Sequence, residues 1–142
     1  MKKLLILLIT CLSLCGCQNH QYTLYFFYAS TCPVCKSFRN HVIPDLKETY
    51  HSKMKIVEYD IDEETSMDQY ASICSHLKHY HYSDTSGNVP FIVLDGYFAR
   101  VGYEIGEEET MENMIQDAID GKNLTEIEDY EDIEFYIFEE EE

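Results

Sequence analysis

The sequence predicts a single α/β domain with a mixed, four-stranded sheet in the element order β-α-β-α-β-β-α. Apolar runs of strand length alternate with segments whose apolar residues recur every three or four positions, as in helices packed against a sheet. The last two strands are separated by Asp95-Gly96, a dipeptide that favours a tight hairpin turn. The 142 residues leave room for one such domain, which we place at 22–121.

The first two strands are predicted to be parallel neighbours. Residues 23–28 (TLYFFY) form a continuous apolar run, which is typical of a strand buried on both faces and indicates the centre of the sheet. Residues 55–61 (KIVEYDI) form the second strand. Because a helix separates the two, their connection is expected to be a right-handed crossover.

The first helix begins at a Cys-X-X-Cys motif. Ser30 or Thr31 is expected to cap it, and Pro33 suits its first turn, where a backbone N–H is not needed. Pro44 is expected to kink or end the helix. The apolar residues predicted to face the sheet lie four positions apart and are Phe38, Val42 and Leu46.

The second half of the domain contains a helix, a hairpin and a final helix. Residues 62–81 are predicted to be helical because their apolar residues share one stripe. Residues 89–94 and 97–101 form the two arms of the hairpin. The last helix is expected to start near Gly106, where acidic residues favour its positive end, and to finish at Gly121.

The chain is strongly acidic, with 27 Asp and Glu against 10 Lys and Arg and a net charge of −17. This charge repels phosphate backbones, so we expect no nucleic-acid partner. Seventeen of the acidic residues lie in 104–142, where Lys122 is the single base. The acidic tail, residues 122–142, also carries large apolar residues. Two interpretations of the tail stay open: an added helix or strand against the domain, or a docking segment for a partner.

Residues 1–16 are predicted to be a signal peptide. Two lysines precede an apolar run, 4–14, that is too short to span a bilayer. The sequence LCGC that ends at Cys17 resembles the lipobox of bacterial lipoproteins. The resemblance implies a mature chain that starts at a lipid-modified, palmitate-bearing Cys17, with 17–21 tethering the domain to the outer face of the cell membrane. Ordinary secretion without a lipid is the alternative.

Three of the six cysteines are expected to remain in the domain, namely Cys32, Cys35 and Cys74. An exported protein stapled for stability usually has an even number, so Cys32 and Cys35 are interpreted as a redox pair. A static disulfide or a metal clip is the alternative. Cys74 lies on the apolar stripe of the second helix, which favours a buried, inert thiol over a third redox cysteine.

Cys32 is predicted to be the attacking thiol of the pair. A cysteine at a helix N-terminus lies beside unpaired N–H groups and the positive end of the helix dipole, which lowers its pKa below the free-thiol value of about 8.5. Lys36 adds positive charge nearby. Cys35, one turn inside the helix, is predicted to be shielded and to act as the resolving thiol.

Three motifs occur together: Cys32-Pro33-Val34-Cys35 at the first helix, Val89-Pro90 at the third strand, and Gly102 after the hairpin. In this combination and element order the chain resembles the thioredoxin/glutaredoxin superfamily over residues 22–121. The resemblance implies a thioredoxin fold, a cis peptide bond before Pro90 and a backbone at Val89 open to a substrate peptide. It also implies that Pro33 and Val34 contact the substrate.

One residue departs from the thioredoxin pattern in a way that bears on the chemistry. Phe26 occupies the place, six residues before the first cysteine, where thioredoxins carry a buried Asp that accepts the proton of the resolving thiol. Glu58 on the neighbouring strand is a possible replacement, and a solvent-facing strand acid is the alternative interpretation.

Three histidines lie in the C-terminal part of the predicted second helix, at positions 76, 79 and 81. Only the first two share a helical spacing, and no acidic or cysteine partner lies beside them. A solvated helix end is therefore favoured over a metal site, and we predict no metal and no cofactor.

Together these features predict an extracytoplasmic, lipid-anchored thiol–disulfide oxidoreductase. Its expected partners are protein or peptide thiols and disulfides and a membrane redox partner. The alternative is a thioredoxin-like binding module without turnover, for example an accessory protein for peptide export or a metal-thiolate carrier. The intact Cys32/Cys35 pair favours the enzyme, because a pure binder needs neither thiol.

Overall fold

The structure is a computed structural model that describes residues 20–80, 87–124 and 133–139. The strands are β1 (Tyr22–Tyr28), β2 (Met54–Asp60), β3 (Phe91–Leu94), β4 (Phe98–Val101) and β5 (Glu134–Ile137). The α-helices are α1 (Pro33–Tyr50), α2 (Glu64–Cys74) and α3 (Glu108–Ile119), and a 3-10 turn, His51–Lys53, joins α1 to β2. The predicted signal peptide and most of the predicted tether lie outside the described residues.

The sheet confirms the predicted thioredoxin fold and extends it by one strand. Its order is β2-β1-β3-β4-β5, with β1 and β2 parallel and the other neighbours antiparallel. The predicted count of four strands is wrong because the acidic tail supplies β5, which pairs with β4 from Phe98↔Ile137 to Val101↔Glu134. With the added strand, β3 rather than β1 lies in the middle of the sheet.

Helices cover both faces of the sheet. On one face, buried residues of β1, β3 and β4 form a core with α1 and α3, including Phe26, Phe38 and Met111. On the other face, a second core contains Phe27 together with Tyr70 and Ile73 of α2. Successive residues of β1 thus enter opposite cores, which is why its sequence is apolar without alternation.

Of the two interpretations of the acidic tail, the structure supports a strand against the domain for residues 134–137. Lys78 N–H donates to the Ile137 carbonyl (2.9 Å), and Glu139 N–H donates to the His76 carbonyl (2.8 Å). These bonds hold the outer side of β5. They also explain why α2 ends at Cys74 and not at the predicted residue 81, since the backbone beyond Cys74 pairs with the tail.

Two further expectations are corrected in the first half of the hairpin and in α1. Of the two effects expected of Pro44, a kink or the end of the helix, the second is wrong, because α1 continues to Tyr50. Pro44 removes the N–H that would bond the Asn40 carbonyl, but both residues are exposed, so water can hydrate that carbonyl. Strand β3 begins at Phe91 instead of residue 89, consistent with Pro90 having no N–H for the ladder.

Candidate active site

The disulfide lies at the N-terminus of α1. Cys32 and Cys35 are bonded to each other, with their Cα atoms 5.2 Å apart. Cys32 is itself the N-cap residue, in an extended conformation, and Pro33 occupies the first turn. The predicted capping by Ser30 or Thr31 is therefore wrong, because the N-cap lies further along the chain, at Cys32, and a sulfur takes the place of a hydroxyl.

At the N-cap of α1, the backbone N–H of Cys35 points at the sulfur of Cys32. Cys35 N–H donates to Cys32 Sγ over 3.0 Å, and Lys36 N–H donates to the Cys32 carbonyl over 3.1 Å. An N–H aimed at Sγ stabilises negative charge there, as does the positive end of the helix dipole. Cys32 is half-buried, whereas Cys35 is only 2% exposed. Of the two cysteines, Cys32 is the more accessible.

The Val89-Pro90 segment lies at the same end of the sheet as the disulfide, because Phe91, the residue after Pro90, pairs with Phe27 near the end of β1. The peptide bond between the two residues is cis, as the resemblance implies. The Pro90 carbonyl accepts a hydrogen bond from Gly102 N–H (2.9 Å), which ties this segment to the loop after β4. Val89, Val34 and Cys32 all pack against the same apolar core and are half-buried. The structure thus brings together the motifs that lie far apart in the sequence.

A buried ion pair connects the loop after β4 to β4 itself. Arg100 of β4 is 0% exposed and donates through Nη2 to Glu107 Oε1 over 2.5 Å. The same carboxylate oxygen accepts Glu104 N–H (2.6 Å), while Arg100 Nη1 contacts Met111 Sδ at 3.0 Å. Glu107 thereby links β4, the loop and the start of α3.

Phe26 stands at the position where the resemblance to thioredoxins implies a buried Asp. Its ring is fully buried and stacks on Phe38, with ring centroids 4.7 Å apart. The guanidinium carbon of Arg39 lies 3.6 Å from the ring centroid of Tyr28 and 5.9 Å from that of Phe26, within the range of a cation–π contact. An aromatic and cationic layer therefore separates α1 from β1 at this point.

Glu58, the predicted proton acceptor, already has a partner. Its Oε2 accepts a hydrogen bond from Arg39 Nε at 2.6 Å, and the side chain is 32% exposed. Neither Arg39 nor this pairing was predicted from the sequence. The signal available was the spacing of Arg39, four residues after Cys35, which places both side chains on one face of α1.

An open groove of about 420 Å³ runs beside the disulfide. It is lined by Tyr28, Ala29, Ser30, Cys32, Cys35, Lys36, Arg39, Asn40 and Asp60. The carboxylate in this lining is that of Asp60, not that of Glu58. Sequence reasoning missed Asp60 because its approach to the cysteines depends on the register between β1 and β2.

Cys74 has the environment predicted for an inert thiol. It is a free cysteine, 3% exposed. Burial raises the pKa of its thiol to about 11, although a hydrogen bond with Tyr80 acts in the opposite direction. At neutral pH the group is therefore protonated and a poor nucleophile.

The histidines after α2 are solvated where they are described. His76 and His79 are exposed, His76 Nδ1 bonds to the Ser72 carbonyl at 2.8 Å, and His81 lies outside the described residues. Within 20–80, 87–124 and 133–139, no three His, Cys, Asp or Glu side chains are grouped so as to hold a metal ion. No helix in those same ranges is long and apolar enough to cross a membrane.

Comparison with known proteins shows a structural likeness but no sequence relative. No protein-family model matches the chain, and no curated protein matches it. Among solved structures, the chain is similar to the oxidised form of mitochondrial thioredoxin 3 from Saccharomyces cerevisiae. The two are 23% identical, with a TM-score of 0.43, over 70% of this chain and 81% of that one.

The fold and the bonded pair define the general chemistry of the site. A sheet in the thioredoxin order has Cys32 and Cys35 at a helix N-terminus, and the cis-proline lies at the same end of the sheet. This arrangement supports a thiol–disulfide redox role in general.

Proposed function

We propose that the chain is an extracytoplasmic thiol–disulfide oxidoreductase that reduces, oxidises or exchanges disulfides of proteins or peptides through Cys32 and Cys35. The observation that carries this proposal is the backbone N–H of Cys35 directed at Cys32 Sγ, at the N-terminus of α1. It stabilises a thiolate on the more accessible cysteine and leaves its partner shielded.

The pair performs reduction in two displacements. In the dithiol form, the Cys32 thiolate attacks one sulfur of a substrate disulfide, forming a mixed disulfide and releasing one substrate thiolate, which takes up a proton. Cys35 then loses its proton and attacks Cys32 Sγ. The bond between Cys32 and the substrate breaks, the second substrate thiol leaves, and the Cys32–Cys35 disulfide forms. Oxidation of a substrate dithiol is the same sequence in reverse.

The substrate is proposed to bind where Pro33 and Val34 meet Val89 and Pro90. Pro33 is exposed, Val34 and Val89 are half-buried, and all lie at the same end of the sheet as the disulfide. An extended peptide can approach Cys32 there, with its backbone beside that of Val89. The lipid proposed on Cys17 would hold this site near the membrane surface, within reach of a membrane redox partner.

The test is to trap mixed disulfides in a bacterium that expresses the full chain. Cys35→Ser removes the resolving thiol, so Cys32 should accumulate in covalent complexes visible on non-reducing gels. Cys32→Ser should form few such complexes, because the remaining thiol is 2% exposed. Cys74→Ser is the matched control and should behave like the wild type.

Two outcomes would count against the proposal. Equal trapping by the Cys32 and Cys35 variants would contradict the assigned roles. No trapping by either variant, together with non-covalent capture of a peptide by both, would favour a binding module without turnover.

A further inference from the structure

The resolving step needs a group that takes the proton from Cys35, and the expected one is absent. Phe26 stands where a carboxylate would serve, and Cys35 is nearly fully buried. Glu58 forms an ion pair with Arg39 and does not line the groove beside the disulfide. The groove does contain a carboxylate, that of Asp60.

The register of the sheet explains why Asp60 reaches the groove and Glu58 does not. Tyr28 is paired with Asp60, and Phe26 with Glu58, so both acids lie on the face of β2 that α1 covers. They are two residues apart, which is roughly 6–7 Å along a strand. Asp60 ends β2 beside the N-terminus of α1, whereas Glu58 lies further from it, at the level of Arg39.

Two cationic side chains share the groove with the Asp60 carboxylate. From α1, Lys36 and Arg39 line the same groove, and Tyr28 of β1 lies opposite in the register. Asp60 Oδ1 accepts a hydrogen bond from Asp62 N–H at 3.1 Å. Among the described residues, Oδ2 has no hydrogen-bond partner, so this oxygen is free to accept one from a water in the groove.

We propose that Asp60 is the proton acceptor for Cys35 during resolution of the mixed disulfide, acting through a water molecule in the groove. This inference rests on the proposed function. The Cys35 thiol gives its proton through the water to Asp60, and its sulfur bonds to Cys32 Sγ. The Cys32–substrate bond breaks, and the proton on Asp60 returns to the departing substrate thiolate or to solvent. Cys32 and Cys35 are oxidised to the disulfide, and the substrate is reduced.

The experiment follows thiolate release from a chromogenic disulfide, dithiobis(nitrobenzoate), by the fully reduced chain in a stopped-flow spectrometer. Cys11→Ser, Cys15→Ser, Cys17→Ser and Cys74→Ala are introduced throughout, so that only the Cys32/Cys35 pair reacts. Attack by Cys32 releases the first thiolate at a rate proportional to reagent concentration. Resolution by Cys35 releases the second at a rate independent of it.

Asp60→Asn is compared with Glu58→Gln, the matched control from the same face of β2. The asparagine retains an oxygen for Asp62 N–H, and an unchanged first phase reports an intact helix N-terminus. We expect Asp60→Asn to slow the second phase by on the order of a hundredfold at about pH 6, the low end of what a positioned base contributes. The deficit should shrink as the pH rises and hydroxide removes the Cys35 proton. Glu58→Gln should change neither phase appreciably.

The rate of the second phase in each variant identifies the proton acceptor. If Asp60→Asn keeps the rate and pH profile of the second phase, Asp60 is not the acceptor. If Glu58→Gln alone slows that phase, the acceptor is Glu58. If the parent chain shows no second phase at all, Cys35 does not resolve the mixed disulfide, and the proposed function fails together with the role of Asp60.

Discussion

Removing the charge of Glu107 is expected to destabilise the fold strongly. Arg100 is fully buried and Glu107 is 8% exposed, so neither charge of their 2.5 Å ion pair is hydrated by bulk water. Arg100 Nε has no hydrogen-bond partner among the described residues, which leaves Glu107 as the main compensation for the buried guanidinium. Glu107→Gln retains an oxygen for Glu104 N–H but leaves the Arg100 charge unbalanced.

The magnitude follows from the burial of the pair. Removing one partner of a buried ion pair costs about 3–5 kcal/mol, against a typical total stability of about 5–15 kcal/mol. For a domain of this size, the lower figure corresponds to a fall in Tm of roughly 12 °C or more. The loop beside Pro90 should loosen as well, because Glu107 is its anchor to β4.

The assay is a double-mutant cycle measured by urea unfolding of the oxidised protein. Glu107→Gln, Arg100→Met and the double variant are compared with the wild type. Each single variant should lose about 3 kcal/mol or more, while the double variant should recover most of the loss because no unpaired charge remains buried. Single losses below about 1 kcal/mol, or losses that simply add in the double variant, would refute the reasoning.

Three other predictions concern Cys74, Cys17 and the cap of α1. Because the folded-state pKa of Cys74 is raised to about 11 from 9.0, its contribution to the free energy of unfolding is complete below about pH 9 and is lost as the pH rises toward 11. Cys74→Ala should flatten that decline in urea unfolding, and an unchanged slope would contradict the assignment. Cys17→Ala should move the chain from the membrane to the soluble fraction of an expressing bacterium, whereas unchanged fractionation would indicate another tether. Ser30→Ala and Thr31→Ala should each change stability by less than about 0.5 kcal/mol, since a loss near 1 kcal/mol is what a true cap gives.

The sequence predicted those features that depend on neighbours along the chain. The apolar run of β1, the helix that opens at Cys32 and the Asp95-Gly96 hairpin are all present. Each is determined by local patterning or turn chemistry, and Gly96 adopts the positive φ of 75° that such a turn favours. The position of the redox pair followed directly from these elements.

The fifth strand could not be chosen from sequence alone. The tail mixes acidic and large apolar residues, which suits a strand, a helix or a docking segment equally well. Residues 134–137 become a strand because β4 offers a free edge on one side and the turn after α2 offers backbone hydrogen bonds on the other. Such pairing is a property of the assembled sheet.

The polar side chains around the disulfide could not be predicted from residues that are neighbours along the chain. Glu58 was correctly placed on the strand next to β1, but its pairing with Arg39 depends on how α1 lies across the sheet. Asp60 reaches the groove through the register of two parallel strands and the end of β2. A one-residue change of register would turn both acids to the other face.

The central claim is that the Cys32–Cys35 disulfide is an exchangeable redox pair and not a structural staple. It is tested most directly by equilibrating the full chain in thiol–disulfide buffers of graded potential and quantifying the alkylated Cys32/Cys35 peptide by mass spectrometry. We predict a midpoint within the range of related redox pairs, roughly −270 to −120 mV. A midpoint below about −300 mV, the range of structural disulfides, would contradict the account.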